Sequence, residues 1–60
     1  MRYAAGVDVG SLAAKSVVIQ DGKILGWGLI PSGLHSEESG LNALAEALKN
    51  AGVGIREVSP

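Results

Sequence analysis

Three short apolar segments open the chain and predict three β-strands. The first, 3–9, is apolar or small at nearly every position and is typical of a central strand covered on both faces. The second, 15–20, is rich in β-branched residues. Asp21-Gly22 separates it from the third, 23–30, and such a pair between apolar segments predicts a two-residue hairpin turn. The pattern therefore predicts an antiparallel meander of three strands.

The third segment alternates between a bulky face and a face that carries glycine. Leu25, Trp27 and Leu29 share the bulky face, whereas Gly26 and Gly28 leave the backbone uncovered on the other. Glycine inside a strand weakens it. Two on one face therefore indicate a bulge, or an element such as a helix packed almost onto the backbone.

A helical pattern follows the third strand. Ser36 is a suitable N-cap, and Gly52 suits the left-handed position just past the end of a helix. The sequence predicts a helix from about Glu37 to Ala51, after which 53–60 has the composition of an approach to another strand. Apolar residues recur along this helix as one stripe, which we expect to be core: Leu41, Leu44, Leu48 and Ala51.

Length and composition limit the possible functions. Sixty residues are few for one domain, and the absence of cysteine excludes a disulfide or thiolate metal site as compensation. A formal charge of −1 gives no basis for binding nucleic acid or an anionic membrane. No apolar stretch approaches the roughly 20 residues that span a bilayer, and no secretion signal is visible. We expect residues 1–60 to be an incomplete α/β domain of a cytoplasmic protein.

The connection between the first two strands contains the three parts of a phosphate site. Asp8 ends the first strand, Gly10 opens a turn of small residues, and Lys15 begins the return strand. Outward peptide N–H groups and a cation bind phosphate oxygens, and a carboxylate holds hydrated Mg²⁺. A Walker loop and a dinucleotide fingerprint are excluded, because the second glycine is missing and the second arm is a strand. Asp8 is equally suited to capping a turn, and Lys15 to a solvated strand end.

The segment resembles the first phosphate hairpin of the ATPase superfamily of actin, heat-shock chaperones and sugar kinases. The resemblance rests on G-V-D-V-G-S at 6–11, the lysine at 15, and V-V-I followed by the D-G turn. More narrowly, residues 7–26 are similar to the ATPase activators of 2-hydroxyacyl-CoA dehydratases and to the related ATPase subunits of benzoyl-CoA reductases. The resemblance implies a ribonuclease-H-like fold, with residues 1–60 as the N-terminal β-β-β-α part of an actin-like ATPase domain.

The resemblance also implies roles for the residues of this hairpin. Asp8 holds Mg²⁺ through water, and Lys15 neutralises the phosphate oxygens of ATP. In the turn between them, Gly10 permits a tight bend, and the peptide N–H groups of Ser11, Leu12 and Ala13 face the phosphates. Leu12 and Ala14 stand where family members often have hydroxyl residues, which leaves only backbone contacts to phosphate.

In the narrower family, ATP hydrolysis in a homodimer drives a low-potential electron from a [4Fe-4S] cluster onto a partner enzyme. The cluster cysteines of that family lie further along the chain, and none occurs here. The implied partners are a nucleotide, the remainder of the ATPase domain, a second subunit and a CoA-thioester dehydratase or reductase. The sixty residues alone are not expected to hydrolyse ATP. Two alternatives stay open: a sugar or acetate-type kinase of the same fold, and a non-catalytic β-β-β-α packing module.

Overall fold

The fold is a three-stranded antiparallel sheet with one helix on one face, seen in a computed structural model that describes residues 3–31 and 36–58. The strands are β1 (Ala4–Val9), β2 (Ala13–Gln20) and β3 (Lys23–Pro31), with β2 in the centre. Strand β2 begins two residues earlier than the sequence predicted. The meander and the β-β-β-α order are confirmed.

The β2–β3 hairpin has the turn that its sequence predicts. Asp21 has φ of 53° and Gly22 has φ of 76°, so both central residues adopt the left-handed conformation of a type I′ turn. The register shifts between Val18 and Ile19, which marks a bulge in this pair of strands. The turn therefore fixes the hairpin, and the bulge shifts the register of the two strands by one residue next to it.

Helix α1 spans Ser36–Ala51, so it begins one residue before the predicted start. The side chain of Ser36, the predicted N-cap, lies outside the described residues. The end of the helix is confirmed: Gly52 has φ of 72°, and the N–H of Val53 donates to the carbonyl of Leu48 at 3.0 Å. This pattern is a Schellman motif, in which glycine supplies the left-handed residue.

Helix α1 lies almost on the backbone of β3. A Cβ atom built at Gly26 would be 2.5 Å from the Ala51 nitrogen and 2.7 Å from the Ala47 oxygen. One built at Gly28 would overlap the carbonyl oxygen of Ala43. Both glycines are therefore required by close approach, and the predicted packing of a helix onto the glycine face is confirmed.

The helix buries most of the predicted stripe: Leu48 is in the core, Leu44 and Ala51 are partly buried against it, and Leu41 is the member that the prediction placed wrongly. Leu41 is 67% exposed, and the residues that meet the sheet are the fully buried Ala43 and Ala47. The glycine face brings the helix so close that only methyl groups fit at the centre of the contact. Leu48 remains in the core as predicted, in a cluster with Val18, Ala47 and Val53.

Strand β1 is an edge strand, and the predicted cover on both of its faces is wrong for the described part of the chain. Most of its residues are exposed. An apolar strand is favoured where other elements cover both of its faces, whereas the described residues cover β1 only on the α1 side. Where the sequence indicated the approach to another strand, the described residues form a 3-10 turn at Ile55–Glu57 and one isolated parallel bridge from Val58 to Tyr3.

We expect Gly28→Ala to lower the free energy of unfolding by about 1–3 kcal/mol, because the new methyl group overlaps helix backbone that has no room to move. Gly6→Ala is the matched control, since a Cβ there would make only an ordinary 3.9 Å contact with Val17. Chemical denaturation of the protein measures both. Equal stability of the two variants would contradict the close packing of α1 on β3.

Candidate functional site

The structure brings together the two charged residues that the sequence selected. Asp8 on β1 and Lys15 on β2 are directly opposite in the antiparallel register. Such partners project to the same face, with Cβ atoms about 4.5–5.5 Å apart. That face is the one without the helix, because Ala14 and Ser16, on either side of Lys15, are buried beneath α1. Asp8 and Lys15 therefore form a row across the open face of the sheet.

Both charged side chains keep their binding capacity. Asp8 and Lys15 are exposed. Within the described part of the chain, neither side chain makes a hydrogen bond or an ion pair. A carboxylate and an ammonium held side by side without protein partners can bind a cation and an anion that belong to one ligand.

The connection between β1 and β2 is a two-residue turn, Ser11 and Leu12, closed by the N–H of Gly10 donating to the Ala13 carbonyl at 2.9 Å. Leu12 is 86% exposed. Gly10 is not in the left-handed region, and a Cβ there would lie 3.4 Å from the Ala13 oxygen. The bend itself therefore does not demand glycine by its backbone conformation, which differs from the role that the family resemblance implied.

Glycine instead leaves bare backbone on both sides of the carboxylate. Gly6 is two residues before Asp8 on β1 and so shares its face, and Gly10 follows the end of the strand. A shallow cavity of about 320 Å³ lies here, lined by Gly6, Val7, Asp8, Lys15, Ser16 and Val17. A ligand can approach the main chain closely at this place, which is a common reason for glycine in a strand.

A buried hydroxyl supports the site from the helix side. The Ser16 side chain is 2% exposed, and its Oγ donates to the Gly6 carbonyl at 2.9 Å. This bond joins β2 to β1 next to the pair formed by Asp8 and Lys15. Sequence reasoning missed Ser16, although a polar residue on the covered face of a strand between apolar neighbours is a signal that could have identified it.

The residues fit Mg²⁺ but not an iron–sulfur cluster. Mg²⁺ is usually bound through one or two carboxylates, water and substrate phosphates, and Asp8 offers one carboxylate without a protein partner in the described part of the chain. Among residues 3–31 and 36–58, no three His, Cys, Asp or Glu side chains are grouped closely enough to ligate a metal by themselves. An iron–sulfur cluster needs cysteine thiolates, and this sequence has none. In the same described ranges, no helix has the length and hydropathy to span a bilayer.

We expect Asp8→Asn and Lys15→Gln each to change the free energy of unfolding by less than about 0.5 kcal/mol, because both side chains are exposed and unpaired within the described residues. Denaturant titration of the intact protein tests this. A loss above about 1 kcal/mol for Asp8→Asn would favour the structural interpretation, in which the carboxylate caps a turn.

Comparison with known proteins gives one result that bears on this site. No protein-family model matches the chain, and no curated protein matches it in sequence. The structure is similar to the crystal structure of component A of the (R)-2-hydroxyglutaryl-CoA dehydratase of Acidaminococcus fermentans, with a TM-score of 0.83 and 29% sequence identity. The match covers 97% of this chain and 22% of that protein, so the chain spans about a fifth of its length.

The match confirms what the sequence resemblance implied about the fold. The three antiparallel strands and the helix correspond to part of a dehydratase component of the kind that the sequence resembled. A structural neighbour of this chain is thus a component of the (R)-2-hydroxyglutaryl-CoA dehydratase, and the chain has the β-β-β-α arrangement of the actin-like ATPase fold.

Proposed function

We propose that the β1–β2 hairpin binds the β- and γ-phosphates of Mg-ATP in an ATPase that drives low-potential electron transfer to a CoA-thioester dehydratase or reductase. The observation that carries the proposal is the pairing of Asp8 with Lys15 on the open face, beside bare glycine backbone. The similarity to a dehydratase component supports an ATPase-like role in general. Residues 1–60 then form the N-terminal part of an ATPase domain in a cytoplasmic protein.

Each part of the hairpin has a separate task in this proposal. The ammonium of Lys15 binds phosphate oxygens, and Asp8 holds hydrated Mg²⁺ through its water ligands. Mg²⁺, when bound, supplies positive charge to the phosphates. The peptide N–H groups of Ser11, Leu12 and Ala13 donate to phosphate oxygens, and Gly10 leaves room for the approach. Each hydrogen bond to a charged group contributes about 1.5–3 kcal/mol, so a few of them hold a polyphosphate.

The coupling to electron transfer rests on the similarity alone. The matched protein is, by its name, a component of a dehydratase that acts on a CoA thioester. A second subunit and a dehydratase or reductase partner belong to the proposal on the same ground. No residue of this chain is assigned to a cluster, because its sequence lacks cysteine.

We expect Asp8→Asn to reduce Mg-dependent ATP hydrolysis by about 10- to 100-fold, because an amide holds the water ligands of Mg²⁺ less strongly than a carboxylate. Release of inorganic phosphate by the intact protein measures the effect, without any added sugar or carboxylate acceptor. Asp21→Asn is the matched control: it removes a carboxylate at the opposite end of β2, in a turn whose positive φ asparagine also adopts. If Asp8→Asn hydrolyses ATP at the unchanged rate, Asp8 is not part of the site. Hydrolysis that appears only with an acceptor would favour the kinase.

We expect Lys15→Gln to weaken the binding of a non-hydrolysable ATP analogue by at least about tenfold, because one charge-assisted contact to phosphate is lost. Lys23→Gln is the control, an exposed lysine at the start of β3, next to the β2–β3 turn at the other end of the sheet. Calorimetric titration of the intact protein compares the two. Equal affinities would assign Lys15 to the solvated surface and leave the non-catalytic packing module as the better interpretation.

A further inference from the structure

The helix contacts the back of the strand segment that carries Asp8. Val7 and Val9, the neighbours of Asp8 in sequence, project to the α1 side of the sheet. A Cβ atom built at Gly40 of α1 would lie 3.0 Å from Cγ2 of Val9 and 3.4 Å from Cγ1 of Val7. Gly40 is thus a point where the helix limits how far the end of β1 can move toward it.

The two strands of the site are anchored unequally. Lys15 on the central strand lies between Ala14 and Ser16, both buried beneath the helix. Val9 on the edge strand is 41% exposed. Additional bulk at the helix surface would therefore displace the strand of Asp8 and leave that of Lys15 in place.

Rotation of the valine side chain does not offer an easy escape. Val9 is β-branched, and such side chains are restricted at χ1. A contact of 3.0 Å must be relieved by a few tenths of an ångström, and we expect the half-exposed end of β1 to shift by that amount. That movement would carry Asp8 away from its position opposite Lys15.

We propose that Gly40 is a positioning residue for Asp8: the absence of a side chain at this helix position lets the end of β1 settle where its carboxylate is in line with Lys15. The inference rests on the proposed function, because it assigns the support of the Mg²⁺-binding carboxylate within the same site. Gly40 acts through Val9 and does not touch the ligand.

The test compares nucleotide binding with and without Mg²⁺ in the Gly40→Ala variant of the intact protein. We expect the Mg²⁺ concentration that half-saturates the binding of a non-hydrolysable ATP analogue to rise about tenfold, as for residues that orient a metal ligand. Affinity for the analogue in the presence of a chelator should stay unchanged, because Lys15 does not move. The unfolding temperature should not fall, because alanine favours the helix more than glycine does.

Three further variants separate positioning from general damage. Val9→Ala removes the methyl group that the new Cβ would meet, so Gly40→Ala with Val9→Ala should return the Mg²⁺ requirement to that of the unchanged protein. Val9→Ile enlarges the strand residue of the same contact and should raise the Mg²⁺ requirement without any change at Gly40. Gly54→Ala should have no effect, since a Cβ there lies 3.5 Å from a flexible glutamate side chain far from the site.

Failure of this inference differs from failure of the proposed function. If Asp8→Asn leaves the Mg²⁺ requirement unchanged, the proposed function is wrong and Gly40 has nothing to position. If Asp8→Asn raises it but neither Gly40→Ala nor Val9→Ile does, only the positioning role is overturned. A rise in Gly40→Ala that Val9→Ala does not reverse also overturns it, because the effect then does not pass through this contact.

Discussion

The contact between α1 and the bare backbone of β3 is the constraint on which the rest of this structure depends. At Gly26 and Gly28 the helix backbone lies where side chains would otherwise stand. This closeness decides which face of the sheet is covered, and the residues of the central strand on that face, Ala14, Ser16 and Val18, are buried. Because side chains alternate along a strand, Lys15 is then held on the uncovered face. The position of the candidate site is thus a consequence of helix packing on the opposite side of the sheet.

The uncovered face is charged on β1 and β2 near the first turn and apolar on β3. Asp8 and Lys15 are the charged pair, and on β3 Leu29, directly opposite Lys15, is 51% exposed and Trp27 is 58% exposed. An exposed apolar area beside a charged row is typical of a surface that another protein segment covers. The helix is tied to the same strand from its own side, through the hydrogen bond from Asn50 Nδ2 to the Trp27 carbonyl. This arrangement agrees with the proposal that the rest of an ATPase domain packs around the hairpin.

Sequence reasoning succeeded where one residue type has a conformation that few others adopt. The turn at Gly22 and the helix end at Gly52 were predictable because both need positive φ. It failed where the outcome depends on the distance between elements. The burial of Ala43 and Ala47 against the sheet follows from how closely the helix approaches it, a quantity that helical periodicity does not contain. The contact at Gly40 was missed for the same reason, since its significance appears only once β1 lies beneath it.

The candidate site depends on strand register more than on any single side chain. A slip of one residue between β1 and β2 would place Asp8 and Lys15 on opposite faces, and no ligand could then meet both. Two features oppose such a slip: the two-residue turn, which leaves no spare length, and the buried bond from Ser16 to the Gly6 carbonyl. The bond would be broken by a slip and would leave a buried hydroxyl without its acceptor, at a cost of about 1–3 kcal/mol. The interactions that stabilise the hairpin therefore also align its two charges.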